Sequence, residues 1–399
     1  MKLVEPNVKP KSFFKSLKNT SEMCDKNLLV TITFLLVIGV MAVFSASAPR
    51  CISANINILH YVTQHFMWLF LGLVGMVFFI NTDYAKLKKF TFPLAITIIV
   101  LLLIIKFTPL GVSINGAKRW LNLGVQFQPS ELAKISVIML LASFFTIKES
   151  FRKYNIFKYF APILLMIALI YKQPNLSMTI ILLAVVVCMY VCSTKNIKLI
   201  VSLVLLAVLG VGLVATNIID LSKYIEPYQL SRITNWQNPE SDIQGGGYNV
   251  FHSLIAISSG GIVGEGYGAS KEKLGWLPEC HTDFIFAVIA EEMGLIGTIL
   301  IIGLFWTFLQ RGLLISHRCS DAYGKLLAAG ISLVITIQAY FNISVASAFL
   351  PATGITLPFI SYGGTSLMVS LWMVGILLNI SIKRGNKNNL YKFVKTKQY

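Results

Sequence analysis

Long apolar runs alternate with short polar segments along almost the whole chain. Ten of the runs are of transmembrane length, since an α-helix of about 20 residues crosses the hydrocarbon core of a bilayer. They cover residues 28–47, 61–80, 91–107, 131–147, 159–172, 175–192, 199–217, 283–309, 324–345 and 364–382. The pattern predicts an all-α polytopic membrane protein, with residues 28–382 as one membrane domain of ten transmembrane helices.

Basic residues predict the orientation of these helices, because Lys and Arg are retained on the cytoplasmic side. Most of the 34 Lys and Arg residues fall in one set of alternating loops and in the two tails, 1–27 and 383–399. Both the N and C termini are therefore predicted to be cytoplasmic. The long polar segment 217–282, between helices 7 and 8, then becomes a large external loop, and the working face is predicted to be external.

The composition agrees with a membrane protein. Of the 399 residues 55% are hydrophobic and 13% charged, and the mean hydropathy is +0.72. The net charge of +17 comes from short basic loops that meet anionic lipid, so it does not indicate nucleic-acid binding. The six cysteines show no metal-ligand spacing. Only Cys51 and Cys280 are both predicted to be external, and two free thiols are preferred over a disulfide between them.

Four ionisable residues fall inside the apolar runs, where a charge is costly unless it is paired or faces a wet cavity. They are Glu131, Lys134, Glu291 and Glu292. Glu131 and Lys134 are three residues apart, which predicts an intrahelical pair with a role either in function or only in helix packing. Glu291 lies about 80° round the helix from Asp283 and about 12 Å deeper, so it is a candidate for the same cavity.

Asp283 stands where the chain re-enters the apolar region after the external loop. A carboxylate at this interface can act on a substrate whose head is wet and whose tail is buried. A structural alternative stays open, because Thr282 or Asp283 at the first turn of a helix also fits an N-cap. His281 beside them has the position of a solvated histidine at an interface.

Three further segments bear on the site. Lys118 and Arg119 are adjacent cations near a helix start and suit a pyrophosphate, although a charged turn with an interfacial tryptophan anchor fits them equally. The glycine-rich segment 260–268 lacks the lysine of a P-loop and is predicted to be a tight loop. Prolines and glycines in 351–364 predict a non-helical re-entrant segment that lines a cavity or is buried in protein.

Five strings carry a resemblance to a known family. They are NGAKRW (115–120), QPSELAK (128–134), SGGIVGEGYG (259–268), LPECHTDFIFAVIAEEMGLIG (277–297) and LPATGITLPFISYGG (350–364). Together they strongly resemble the SEDS family of shape, elongation, division and sporulation proteins. The resemblance implies a peptidoglycan glycosyltransferase that polymerises lipid II at the outer face of the bacterial cytoplasmic membrane. It also implies a class B penicillin-binding transpeptidase and other division membrane proteins as partners.

The resemblance assigns roles to single residues. It makes Asp283 the catalytic residue, with Glu131 and Lys134 shaping a central cavity. The chemistry agrees, because a base must take the proton of the acceptor hydroxyl and cations must offset the charge of a leaving pyrophosphate. A divalent cation such as Mg²⁺ is a further candidate, although the sequence shows no ligand cluster for it. The other predicted cavity and substrate-binding residues are Lys118, Arg119, Arg232, Glu291, Ser361 and Tyr362.

Two positions depart from the family pattern. Asn175 stands where the family usually has an aspartate, so a charged role is absent there, and Asn249 stands where it usually has a glutamine. Ser253, Leu254 and the run 354–358 resemble the division members more than the elongation members. We therefore expect a role in septum synthesis, with an elongation-type polymerase as the alternative.

Two functions of other classes stay open at this point. A lipid II flippase or transporter would use the intramembrane charges without making a bond, and a scaffold would only recruit the transpeptidase. The motifs are concentrated on the predicted external face, which favours the polymerase, because a transporter needs polar groups that are reachable from both sides.

Overall fold

The computed structural model describes residues 24–114, 117–122, 124–194, 227–237 and 245–396, together with positions 202, 205 and 209. Within these ranges the helices are α1 (Lys26–Ser53), α2 (His60–Asn81), α3 (Tyr84–Leu87), α4 (Thr91–Phe107), α5 (Pro129–Phe145), α6 (Glu149–Tyr171), α7 (Leu176–Thr194), α8 (Pro227–Gln237), α9 (Tyr248–Ser259), α10 (Ile285–Arg318), α11 (Ala322–Ala346) and α12 (Gly364–Thr396). The predicted seventh run and parts of the predicted external loop and both tails lie outside the described residues.

Eight helical segments of the described residues are long and apolar enough to cross a membrane, so the chain is a multi-pass membrane protein. They are α1, α2, α3 with α4, α6, α7, α10, α11 and α12. Helix α5 has only 17 residues, and almost all of its side chains are buried among the other helices. Large apolar side chains on the outer faces, such as Phe34, Phe70 and Ile96, are exposed, as lipid-facing residues are. The count of ten helices and the side of the termini stay predictions.

Helices α2 and α12 pack closely through glycines. A Cβ on Gly75 would lie 1.9 Å from the indole nitrogen of Trp372, and one on Gly375 would lie 2.6 Å from the carbonyl oxygen of Met76. Small residues are used in this way in membranes, where lipid tails leave no hydrophobic force to drive helices together. The contact fixes the first turns of α12, which follow the segment 351–363 directly.

A small antiparallel sheet between α4 and α5 departs from the all-α prediction. Its strands are β1 (Gly111–Ile114), β2 (Ala117–Asn122) and β3 (Gln126–Phe127), with β2 in the middle. The sheet was not predicted, because strands this short carry too few alternating positions for a period of two to be visible. The sheet matters because β2 carries both cations of the predicted pyrophosphate clamp.

Helix α10 is broken at Gly294, where φ is 61° and ψ is −159°. The predicted tight loop 260–268 fills the break. The amides of Glu265 and Gly266 donate to the carbonyls of residues 291 and 292, and the amides of residues 295 and 296 donate to the carbonyls of Gly261 and Ile262. Residues 260–268 are thus packed against α10 about 15 Å from its start, so the predicted external loop does not lie wholly outside the bundle.

Residues 351–363 are non-helical, in agreement with the prediction of a re-entrant segment. Ile355, Leu357 and Ile360 are almost completely buried, so the segment runs through the interior of the protein. Non-helical backbone is tolerated at membrane depth only in such a place, because its polar groups need partners inside the protein.

Candidate functional site

A cavity of about 400 Å³ opens between β2, α5, α8, the start of α10 and the re-entrant segment. Its charged and phenolic lining residues are Arg119, Glu131, Arg232, Glu279, Asp283 and Tyr362. Five of these were predicted from the sequence to belong to one site. The structure therefore brings together residues that are up to 243 positions apart in the chain.

Asp283 lies in the turns just before α10 and lines the cavity. The helix begins at Ile285 after Phe284 as the capping residue, without a side-chain hydrogen bond, so the alternative that Asp283 or Thr282 is an N-cap is wrong. A Cβ built on Gly354 would lie 3.3 Å from Asp283 Oδ2 and 3.9 Å from an Arg119 guanidinium nitrogen. The absence of a side chain at Gly354 thus leaves room for the carboxylate and the guanidinium on one side of the cavity.

The surroundings of Asp283 raise the pKa of its carboxyl group to about 7. Burial is the main cause, because a charge loses hydration there, and the neighbouring Glu279 carboxylate acts in the same direction. Arg119 and Arg232 oppose both effects by favouring the charged form. A carboxyl group with a pKa near neutral is suited to taking up a proton at physiological pH.

The two arginines reach the cavity from different elements. Arg119 on β2 donates to the backbone carbonyls of Gln173 (3.2 Å) and Pro174, which lie before α7. Arg232 on α8 donates to the carbonyl of Ala352 at 3.0 Å and so joins α8 to the re-entrant segment. Both guanidinium groups are thereby oriented at the cavity wall, where each adds positive charge.

Lys118 does not join Arg119 in the cavity, so the predicted clamp of two adjacent cations is corrected. Its ammonium group donates to the carbonyl of Thr108, the residue just after α4, at 2.7 Å. Successive side chains of a strand alternate between its two faces, which places Lys118 on the face opposite to Arg119. The prediction placed both cations near a helix start, with a charged turn as the alternative, and neither interpretation included this alternation.

Glu131 and Lys134 form the predicted pair, with 2.6 Å between the ammonium nitrogen and a carboxylate oxygen. Glu131 lines the cavity, whereas Lys134 lies behind it, fully buried, and donates to the side-chain oxygen of Gln338 at 2.5 Å. Lys134 therefore acts on the cavity through Glu131 rather than by facing it.

Glu291 and Ser361 are placed away from the cavity lining. The Glu291 carboxylate accepts hydrogen bonds from the Ser270 hydroxyl (2.5 Å) and the Lys271 amide (2.7 Å), because Gly294 and the loop that fills the break change its surroundings. The Ser361 hydroxyl accepts from the Leu357 amide at 2.8 Å and holds the re-entrant segment. These two predicted cavity positions are corrected to structural contacts.

An aromatic cluster adjoins the cavity at Tyr362, which lines it and donates to the side-chain oxygen of Gln64. The Tyr362 ring contacts those of Tyr61 and His281. His281 is buried, which corrects its interpretation as a solvated side chain, and burial lowers its pKa to about 4. Glu279 was not among the predicted site residues, although its position four residues before Asp283 indicated it.

Two other predictions concern positions near this end of the bundle. Cys51 and Cys280 are both free, as the preferred interpretation had it, and the structure shows in addition that both are buried. Asn175 lines the cavity, and its side-chain oxygen accepts from the Met178 amide at 3.3 Å, so it starts helix α7 with a neutral group. Asn249 also lines the cavity.

Known proteins of similar sequence point to one family. The family model described as cell cycle protein, for FtsW, RodA and SpoVE, matches residues 26–386. A Trichlorobacter lovleyi protein named probable peptidoglycan glycosyltransferase FtsW is 34% identical over 361 residues, covering 90% of this chain and 93% of that protein. Stage V sporulation protein E of Bacillus subtilis is 36% identical over 365 residues, covering 89% of this chain and 96% of that protein.

Solved structures show the same fold. A chain from work described as structural coordination of polymerization and crosslinking by a peptidoglycan synthase complex has a TM-score of 0.71 at 26% identity, covering 90% of this chain and 98% of that one. Rod shape determining protein RodA of Thermus thermophilus has a TM-score of 0.64 at 24% identity, covering 90% of this chain and 97% of that one. The chain therefore belongs to the SEDS family, the cell cycle proteins that include FtsW, RodA and SpoVE.

Proposed function

We propose that this protein is a peptidoglycan glycosyltransferase that polymerises lipid II into glycan strands for the division septum. The observation that carries the proposal is the placement of Asp283, whose pKa is raised to about 7, in a cavity that also holds Arg119 and Arg232. Relatives named probable peptidoglycan glycosyltransferase FtsW support it over nearly their whole length. The name FtsW, rather than RodA, supports septum synthesis over the elongation-type alternative.

The cavity groups suit each part of a glycosyl transfer. Asp283 as carboxylate takes the proton of the acceptor sugar hydroxyl while that oxygen bonds to the anomeric carbon of the donor. The bond from this carbon to the pyrophosphate oxygen breaks at the same time, and the polyprenyl pyrophosphate leaves with the electron pair. Arg119 and Arg232 stabilise the negative charge that develops on the leaving group, because their guanidinium groups are already oriented by backbone carbonyls.

We also propose a divalent cation in the cavity, although the transfer as described does not depend on one. Among the described residues no three His, Cys, Asp or Glu side chains gather as a ready-made metal site. Mg²⁺ is commonly held by one or two carboxylates together with substrate phosphates, and Asp283 and Glu279 both line the cavity. When bound there, such an ion would neutralise part of the pyrophosphate charge.

The topology belongs to the same proposal. Ten transmembrane helices with both termini in the cytoplasm would place the cavity at the outer face of the bacterial cytoplasmic membrane, where the lipid II head group is found. The basic loops and tails support this orientation. We further propose a class B penicillin-binding transpeptidase and other division membrane proteins as partners; the related chain from a peptidoglycan synthase complex supports the first of these.

Polymerisation of fluorescent lipid II by the purified protein, with its co-purified transpeptidase, tests the function. We expect Asp283→Asn to reduce glycan synthesis by about 10²- to 10⁴-fold, since it removes the base but keeps the shape. Asp321→Asn is the matched control. Asp321 caps α11 at the end away from the cavity, where its side chain accepts from the Gly324 amide at 2.9 Å, and asparagine caps equally well.

Each outcome separates the candidate functions. Glycan ladders that are lost only in Asp283→Asn support the polymerase. Equal ladders from wild type and Asp283→Asn would refute Asp283 as the base. If a folded, partnered wild-type sample makes no glycan but moves lipid II across vesicle membranes, the protein is a transporter. If it does neither and only retains the transpeptidase, it is a scaffold.

A further inference from the structure

Two buried amide side chains on α11 lie behind the cavity. Gln338 and Asn342 are four residues apart, so they are on the same face of the helix, and each is only 1% exposed. Both reach the re-entrant segment, at Thr356 and Ile355 respectively. No step of the proposed transfer involves either of them.

Asn342 joins the backbone of Asp283 to the re-entrant segment. Its side-chain nitrogen donates to the carbonyl of Asp283 at 2.7 Å and to the carbonyl of Ile355 at 2.6 Å. Backbone carbonyls only accept hydrogen bonds, so the NH₂ group must face both of them and the amide cannot be flipped. One side chain thus fixes the distance between Asp283 and residues 354–355, beside which its carboxylate lies.

Gln338 makes a corresponding connection between Lys134 on α5 and Thr356 in the re-entrant segment. Its oxygen accepts from the Lys134 ammonium group at 2.5 Å, and its nitrogen donates to the Thr356 carbonyl at 3.0 Å. Lys134 can only donate and the carbonyl can only accept, so this amide also has one orientation. Because Lys134 holds Glu131, Gln338 sets the position of the Glu131 carboxylate at the cavity wall.

We propose that Asn342 and Gln338 are positioning residues, which hold the Asp283 and Glu131 carboxylates at a fixed separation across the cavity. This inference rests on the proposed glycosyl transfer and adds to it the residues that determine its geometry. Neither amide lines the cavity. Their effect is on the rate of the chemical step, because a shift of about 1 Å in a reacting group can lower the rate by about 10²-fold.

Asn342→Leu, in the purified complex, is the main test. It keeps the branched shape at Cγ, with a somewhat larger volume, and removes both hydrogen bonds to Asp283 and Ile355. Asn379→Leu is the matched control, because Asn379 is a buried amide of α12 that donates to the Ile80 carbonyl at 2.6 Å and accepts from the Tyr84 amide, at the ends of α2 and α3 away from the cavity. We expect kcat to fall by about 10²-fold in Asn342→Leu alone, with little change in KM.

The pH dependence separates positioning from loss of stability. If the Asp283 carboxylate moves away from Arg119 and Arg232, its pKa rises further, so the acid limb of the pH profile of Asn342→Leu should move to higher pH. The profile of Asn379→Leu should keep its midpoint, because partial unfolding lowers the amount of active protein and not the pKa. Equal losses in both variants, with unmoved profiles, would overturn the inference.

A measurement without glycan synthesis keeps the two proposals distinguishable. With the six native cysteines replaced, Asp283→Cys places a thiol at the same position, and its alkylation by a water-soluble maleimide is followed against pH. We expect the midpoint of alkylation to move to higher pH when Asn342→Leu is added and to stay when Asn379→Leu is added. A wild type without polymerase activity would end the proposed function, whereas an unmoved alkylation midpoint would end the positioning role of Asn342.

Gln338 is tested by two substitutions with different losses. Gln338→Glu keeps an oxygen for Lys134 and loses the hydrogen bond to the Thr356 carbonyl, whereas Gln338→Leu loses both. We expect Gln338→Leu to reduce kcat more than Gln338→Glu, because only the former releases Lys134 and with it Glu131. The reverse order would show that the contact to Thr356 matters and that Lys134 does not depend on Gln338.

Discussion

Two carboxylates, one just before α10 and one within it, differ in what surrounds them. Glu292 is paired with Lys273 at 2.6 Å and accepts from the Ser45 hydroxyl at 2.5 Å, and all of these groups are buried. Asp283, nine residues earlier, interacts with Arg119 and Arg232 across the cavity instead. A buried carboxylate with a bound cation has its charge compensated inside the protein, whereas one that faces a cavity is available to a substrate.

Removing Lys273, the cation that pairs with Glu292, should have the largest effect, and the effect should be on stability. In Lys273→Met, Glu292 stays buried without its cation, and breaking a buried pair in this way costs about 3–5 kcal/mol of stability. Thermal unfolding in detergent checks this, with Lys271→Met as control. The Lys271 side chain is 75% exposed and lies 4.0 Å from Glu265, so its loss should change little. Equal melting temperatures for the two variants would contradict the comparison.

Removing a charge from the cavity region should affect catalysis instead. Arg119→Gln takes away a cation that favours ionised Asp283 and stabilises the leaving group, so we expect a loss of activity on the order of 10²-fold. The acid limb of the pH profile should also move to higher pH, because the pKa of Asp283 rises further. Arg119→Lys keeps the charge and should keep the midpoint. If Arg119→Gln lowers the melting temperature and leaves the pH profile unchanged, Arg119 contributes to stability, as Lys273 does, and does not act on Asp283.

The break in α10 lies two residues after Glu292 and can be tested at Gly294. Its φ of 61° is unfavourable for other residues, and a Cβ would lie 2.4 Å from the Gly264 amide nitrogen. We expect Gly294→Ala to lower stability by at least about 1–3 kcal/mol. Gly303→Ala is the control on the same helix, because a Cβ there meets no atom within 4 Å and alanine favours a helix. Melting temperatures of the two variants decide the point.

The smallest effect is expected for Glu279→Gln. The Glu279 carboxylate raises the pKa of Asp283, so its neutralisation should lower that pKa and move the acid limb of the activity profile to lower pH. The activity at neutral pH should rise only slightly, because a somewhat larger fraction of Asp283 is ionised there. The exposed ion pair with Arg50 at 3.6 Å is lost as well, but it contributes little to stability. A move to higher pH would show that Glu279 has another role.

The positions of helices were predicted well from the sequence. The groups that contact the charged side chains on those helices were predicted poorly. The run 91–107 coincides with α4, and the run that starts at 364 coincides with the start of α12, because a long apolar stretch needs no distant partner to be recognised. Glu291 was placed by assuming a regular helix surrounded by other helices. The Gly294 break and the loop that fills it made this wrong, and neither follows from the helical period.

Most of the cavity residues that the sequence predicted correctly lie within recognisable motifs, whereas other residues outside such motifs were missed. Asp283, Glu131, Arg119 and Arg232 come together as expected, whereas Lys118 turns away because β2 is a strand. Gln338 lies in an apolar run without a motif of its own, and an isolated amide on a membrane helix carries no sign of which backbone carbonyl it will meet. Such contacts are set by packing between distant segments.

The way the break in α10 is filled limits changes in chain length. Gly261, Ile262, Glu265 and Gly266 supply donors and acceptors that the missing helical turn would have supplied, and each of these four pairs with a definite residue of α10. Deleting or inserting one residue in this loop would shift every one of these pairs and leave backbone groups without partners inside the bundle. Substitutions at exposed positions such as Val263 are tolerable by comparison. In this loop the number of residues is therefore constrained more tightly than most of their identities.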